Sequence, residues 1–493
     1  MSQKAWSVFL VALMLTVAFA VPVSAGDEGS PTVGVQIQNL ESQEINVDAV
    51  SYSQDGAEVK SLGGTVKLAS ETATTYYIPN FNLKPGSSAL VVSSTGQAGG
   101  IARTEWSSST GAGIYSTTAA GTKVLMPLIL SKFANQTSQV TVQNTDTSKD
   151  ISDVKLTLLP RGGGTPVVVD NQTILKGTSK TWKLDDTGVW GTLPNTATDL
   201  GAPGFMGSMV IESAIPLVVQ SFIDIDNTPG ISAFTGVAAD SAAKKLYCPL
   251  ARDNYFGNTG ITVVNNNGVA ATAKITFRAD PASPNSTTVN QDLPILANSS
   301  AIAFQGPGGN TRTAGMPGGT QTAANTVPTN NGWFGSAEIN ADQDVVAVVN
   351  DTLFGPNFSI AGQSSYNCVP ADSAGTKHYL PLLRRYHLSD QRLVSGVQVV
   401  DTSGGSNTAT LSLVNWDGSA APDPAPKTIG ANSAVNFFGG DWTGLPTVPA
   451  NLGGFGWFGS GVVTCTADCI VLVNDEHITG IGTKAVDRAN YIG

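Results

Sequence analysis

One alternation of apolar and polar positions recurs along the chain. Gln139-Val140-Thr141-Val142-Gln143-Asn144, Gly260-Ile261-Thr262-Val263-Val264-Asn265 and Gly396-Val397-Gln398-Val399-Val400-Asp401 match one another. A period of two puts alternate side chains on opposite faces, as in a half-buried strand. Each copy ends in Asn or Asp, residues that tolerate the turn conformations closing a strand. A second alternating run follows each, at 154–158, 273–277 and 409–413. A third element is an aromatic residue shortly before Gly-Ser: Phe205 before Gly207-Ser208, Trp333 before Gly335-Ser336 and Trp457 before Gly459-Ser460. An apolar run begins about ten residues after each Gly-Ser pair. This pattern predicts a central hairpin of strand, short turn and second strand. No segment sustains a 3.6-residue apolar period, so almost no helix is expected.

A fourth signature sets the repeat. Lys123, Lys245 and Lys377 are each followed four residues later by Pro-Leu, at Pro127, Pro249 and Pro381. Successive prolines lie 122 and 132 residues apart, and the Gly-Ser pairs 128 and 124. Two landmarks with a common period of about 125 residues indicate whole domains in tandem. The resulting division is a leader (1–25), a divergent leading β-domain (26–121) and three β-sandwich repeats (122–243, 244–374 and 375–493). Ala239-Asp240-Ser241-Ala242 and Ala371-Asp372-Ser373-Ala374 form short small-residue joints between repeats. Gly34-Val35-Gln36-Ile37-Gln38-Asn39 echoes the repeated strand in the leading domain, which lacks the Lys-Pro-Leu opening. About seven strands per unit make the expected class all-β, with tandem Ig-like β-sandwiches. Proline removes a ladder donor, so the Pro-Leu strands are expected at an edge or a strand start. Stiff joints would make the molecule a rod.

The Lys-Pro-Leu opening, the Val-x-Val-x-Asn strand and the Gly-Ser box over 123–493 resemble those of uncharacterised tandem-repeat secreted surface proteins of filamentous bacteria. That resemblance implies surface location and β-architecture, and no activity.

Composition agrees with export. Lys4, the apolar segment 8–19 and Val23-Ser24-Ala25 have the layout of a signal peptide cleaved after Ala25. No later stretch is apolar enough to cross a membrane as a helix. Only 13% of residues are charged, and the net charge is −11. An acidic chain gains no counterion-release term from nucleic acid, which argues against that partner. Outside the cytoplasm, four cysteines are expected as disulfides. Cys465 and Cys469 would bridge the tip of the third hairpin. Cys248 and Cys368 would staple the second repeat.

Candidate chemistry is sparse. There is no Gly-x-Ser-x-Gly elbow. His378, His387 and His477 all fall in the third repeat, so no repeated site uses them. No catalytic residue, cofactor or metal site is assigned. Asn340, Asp342, Asp344 and Asp351 faintly resemble a calcium loop, but Val345 stands where that loop needs Gly. Asp224-Ile225-Asp226-Asn227 is a second weak calcium candidate. Long insertions precede each Gly-Ser box at about 183–204, 305–332 and 439–456. Trp190 and Trp442 lie within them, while Trp333 and Trp457 border them. Such loops carry binding, and these rings are candidates for glycan stacking, although they could instead plug their own sandwiches. The expected role is a secreted or cell-surface structural protein, partnered with itself or other surface proteins. The alternative is an adhesin or glycan-binding protein using the Trp-bordered loops.

Overall fold

The computed structural model describes residues 15–21, 31–83, 88–106, 112–116, 120–200, 203–225, 228–255, 257–304, 332–354, 360–387, 393–478 and 485–493. Regular structure in the described chain is almost all antiparallel strand, and its α-helix is the single turn Thr187–Trp190. Leu15–Val21, within the segment read as a leader, runs antiparallel to Ser88–Ser94. Residues 1–14 and 22–25 lie outside the described residues.

Each repeat is built around one long strand: Phe205–Ile225, Trp333–Phe354 or Trp457–Ile478. This corrects the expected hairpin, because the chain bends at the polar segment without reversing. The two halves of the strand serve different layers. In the first repeat the N-terminal half pairs with Gly121–Ser131 and Ile151–Pro160, and the C-terminal half with Gln136–Asn144 and Thr228–Thr235. The other repeats copy this plan, and the apolar faces of both halves enclose one core per repeat.

The recurring motifs have local causes. A Cβ on Gly207, Gly335 or Gly459 would collide with the carbonyl oxygen of Leu159, Arg278 or Val414 on the adjacent strand, so the Gly of the Gly-Ser box is a close-approach residue. Pro127, Pro249 and Pro381 lie inside their strands, not at the starts. They fall within breaks of the ladder between Met126 and Ile129, Cys248 and Ala251, and Leu380 and Leu383, where the missing N–H costs no pairing. The strand-ending Asn clasps its turn: Asn39 Nδ2 donates to the carbonyls of Gln43, Leu68 and Ala69, and Asn144 Nδ2 to those of Lys149, Ile174 and Leu175.

The four domains do not form a rod. The closing strands Ala112–Ser116, Thr228–Thr235, Ile360–Asn367 and Ala485–Ile492 gather around one axis, each against the next and the last against the first. The opening strand of one domain faces the Val-x-Val-x-Asn strand of the following one. Leu125 packs with Val264 and Val346, and Tyr247 with Val400 and Ile470. The ring closes where the Tyr379 hydroxyl donates to Leu40 O at 2.7 Å and Gln38 Nε2 donates to Gly461 O at 3.3 Å.

Disulfides join Cys248 to Cys368 and Cys465 to Cys469. The first closes the second repeat. The second brackets the corner of a continuous strand, where a bridge between two hairpin strands was expected. Chain entropy ranks them by loop length. Replacing both Cys248 and Cys368 by Ala is expected to cost about 5 kcal/mol, and replacing Cys465 and Cys469 about 2 kcal/mol. Urea unfolding of the two double variants checks the order.

Candidate functional site

The axis is where side chains from all four domains meet, and its chemistry follows from edge strands. Each closing strand pairs with its own sheet on one side only, through the long strand in the three repeats and Ala98–Trp106 in the leading domain. An unpaired edge needs cover. Here the neighbouring closing strands supply it through side chains. Ser232 Oγ and Ser365 Oγ share a hydrogen bond of 2.7 Å, Asn367 Nδ2 donates to Thr235 O at 2.7 Å, and Asn490 Nδ2 donates to Ser364 Oγ at 3.0 Å. Gln363 Nε2 donates to Gln136 Oε1 at 3.0 Å, fully buried.

Where these strands end, a cavity of about 160 Å³ opens, lined among others by Ile114, Phe234, Asn367 and Asn490. Asn367 Oδ1 and Asn490 Oδ1 have no protein partner. The volume is well below the roughly 300–1,000 Å³ of ordinary small-molecule sites, and suits several water molecules.

Next to the axis lies a buried ion-pair network. Arg252 Nη1 is 3.0 Å from Asp351 Oδ2 in its own repeat, and Arg252 Nη2 is 2.9 Å from Glu476 Oε1 in the third. Asp475 Oδ2 receives Arg103 of the leading domain at 2.8 Å and Arg384 at 3.2 Å, while Ser395 Oγ donates to Asp475 Oδ1 at 3.0 Å. Burial works against the Arg252 charge, yet the Asp351 and Glu476 carboxylates outweigh it and hold the guanidinium above its ordinary pKa. Asp280, at the seam between the second and third repeats, has its pKa raised by burial, against the opposing hydrogen bonds of Ala282 N–H and Gln398 Nε2.

Comparing the repeats exposes a substitution that sequence reading missed. Arg252 N–H, Arg384 N–H and Leu130 N–H each donate to a hydroxyl on the next strand, from Thr259, Ser395 and Ser138. Those residues pair with Asp351, Asp475 and Ile223. The first repeat therefore has Leu130 and Ile223 where the others have Arg–Asp. Likewise Phe234 stands where Tyr366 and Tyr491 stand. Both tyrosine hydroxyls donate to the carbonyl of the Leu after the strand proline, Leu250 or Leu382, and accept its N–H. Burial raises both hydroxyl pKa values. Aligning the repeats around the closing strand would have revealed these positions.

The predicted binding-loop aromatics are not available to a ligand. Trp190, Trp333, Trp442 and Trp457 are all buried. Trp190 Nε1 donates to Lys183 O, Trp333 Nε1 to Thr287 O and Trp457 Nε1 to Asn415 Oδ1, and Trp442 packs edge-on against Trp457. A large ring beside an open sandwich end removes most area from water by turning inward. The insertion 305–331 lies outside the described residues. In the third repeat, the exposed apolar groups on or beside the insertion are Phe438, Leu452 and Phe455.

The calcium candidates are drawn apart. Asp342 Oδ1 accepts Thr272 N–H, Asn340 Nδ2 donates to Glu338 and Asp351 is held by Arg252. Asp226 and Asn227 lie outside the described residues. Among the described residues no three His, Cys, Asp or Glu converge as a metal site. The Gly-Ser serines Ser208, Ser336 and Ser460 are buried in the sheet. His378 Nε2 lies 2.9 Å from Cys469 O, and the His387 ring sits tilted against that of Phe458, with centroids 4.8 Å apart.

Among the described residues no helix is long and apolar enough to cross a membrane. No family model matches the chain, and no curated protein does. Among solved structures, one titled "Crystal Structure of Thermotoga maritima 1070" is similar at 15% identity and a TM-score of 0.20, over 26% of this chain and 95% of that one. The fold thus defines an all-β class with two disulfides, and no family is assigned.

Two predictions follow from the buried charges. Arg252→Ala removes the buried cation facing both Asp351 and Glu476 and should cost about 3–5 kcal/mol, whereas Arg252→Leu with Asp351→Ile and Glu476→Gln, which leaves neither carboxylate behind, should recover most of that loss. Thermal unfolding of the three proteins checks it. For Asp280, a raised folded pKa means the folded state binds more protons, so its contribution to stability falls as pH rises from the ordinary carboxylate range to the folded value. Asp280→Asn is therefore expected to stabilise the protein at neutral pH, with the gain fading in acid. Urea midpoints across pH 3–8 read that window, and a gain unchanged over the whole range would refute the assignment.

Proposed function

We propose that the protein is a secreted or cell-surface structural component, a rigid block that self-associates in a surface layer, fibre or matrix. The observation that carries this reading is the closed ring, in which the axial polar and charged groups are largely spent on holding four domains together. The leader-like N-terminus and the two disulfides support an oxidising location outside the cytoplasm. One observation favours a second reading. Phe438 and Phe455, 41% and 42% exposed, are aromatic side chains of the third repeat available for adhesion or glycan contact.

Light scattering and negative-stain electron microscopy over a concentration series test the first reading. Ligand-free growth of ordered assemblies with concentration is the expected outcome, and single rings at every concentration would reject it. Glycan binding that disappears in a Phe438→Ala, Phe455→Ala variant would move the conclusion to adhesion.

A further inference from the structure

The ring has four seams, and three are spanned by the chain itself. The fourth, between the third repeat and the leading domain, is held by contacts alone. Its polar contacts cross from one end of the chain to the other: Arg103 to Asp475, Lys377 to Glu71, Tyr379 to Leu40 O and Gln38 to Gly461 O. Ile101 and Ile114 of the leading domain complete it by entering the third repeat's core. The same strand position is Val264 and Val400 at the two inner seams, but Gln38 here. This seam is thus more polar there than the inner ones and lacks their covalent tether. It is also heterologous, because the face given by the third repeat differs from the face given by the leading domain.

We propose that this seam is an exchangeable latch, and that a second copy of the chain takes the place of the molecule's own third repeat against the leading domain. The inference rests on the self-association reading and names its interface. A heterologous contact closes a ring when the geometry returns to its start, and otherwise propagates from copy to copy. Within one molecule the two faces are held together at an effective concentration on the order of millimolar, so dilute copies are closed rings. Crowded copies whose latch opens re-close on each other, forming dimers or open chains of four-domain arcs with every seam contact preserved. No new surface is needed.

The Lys377–Glu71 pair gives a direct readout, since both side chains are partly exposed and in contact. An equal mixture of nitrogen-15-labelled and unlabelled full chain is held at about millimolar concentration, diluted, and treated with a carbodiimide that joins the Lys377 amine to the Glu71 carboxyl. Mass spectrometry then sorts the linked peptide by isotope. The expected result is mixed light–heavy peptide in the multimeric fraction, approaching the statistical half, and none when the two samples are mixed only after dilution. Arg103→Gln, which leaves Asp475 still held by Arg384 and Ser395, weakens the closed ring and the exchanged multimer alike, so it should leave the midpoint concentration unchanged and make the mixed peptide appear roughly tenfold faster. Multimers whose linked peptides are all single-isotope would overturn the latch while leaving self-association intact. Absence of multimers at every concentration would overturn self-association and the latch with it.

Discussion

The architecture depends on one constraint: a sheet edge cannot be left bare. Each domain ends in a strand hydrogen-bonded on one side only, and four such edges bury one another around the axis. Backbone pairing between neighbouring edges would demand matched register and fuse the domains into one sheet. Instead Ser232 with Ser365, Asn367 with Thr235 and Asn490 with Ser364 satisfy polar groups across the axis. Short side chains reach across where two edges approach, so each sandwich keeps its own twist. The long strand makes this possible. By leaving the outer layer at its corner and entering the inner one, it positions the closing strand at the axis.

Around the axis, the repeats solve one packing problem in two chemistries. Leu130, Ile223 and Phe234 fill in the first repeat the positions held by arginine, aspartate and tyrosine in the other two. Desolvating a buried ion pair cancels much of its attraction, so an apolar replacement of similar volume holds a core equally well. The charged versions persist where a second partner exists across a seam. Arg252 also reaches Glu476, and Asp475 also receives Arg103. The first repeat lacks charge at this position, and apolar contact serves there: Phe222 and Ala233 enter the leading domain's core. Directional charge contacts are thus concentrated where the third repeat meets its two neighbours, fixing the angle of the closing domain.

Much of the strand pattern was legible in the sequence, and the ring was not. Period-two alternation located the repeated strands, and the Asn39 clasp shows why even the divergent leading domain kept that ending. The paired landmarks gave the repeat period because Gly207 and Pro127 answer local steric demands that recur in every copy. The hairpin reading failed at Ser213-Ala214 and its counterparts, since polar residues mark a solvated bend as readily as a reversal. The tryptophans looked like loop residues because sequence position says nothing about which way a ring turns. Ring closure rests on Arg103, Asp475, Tyr379 and Leu40, scattered over most of the chain with no local pattern. Only the repeat comparison carried a trace of it, in the exchange of Val264 and Val400 for Gln38 and Gln143.

That exchange distinguishes the seams physically. At the two inner seams a valine meets apolar neighbours, and separating them exposes that surface to water with no compensating gain. Beside the leading domain the position is Gln38 on one side and Gln143 on the other, and an amide released to water regains its hydrogen bonds. Of these two polar positions, the one at Gln143 lies between domains that adjoin in sequence, so separating them still leaves them tethered. The one at Gln38 does not. The seam at Gln38 is therefore the one where opening would free two complementary faces to move apart, which is the opening that the exchangeable latch requires.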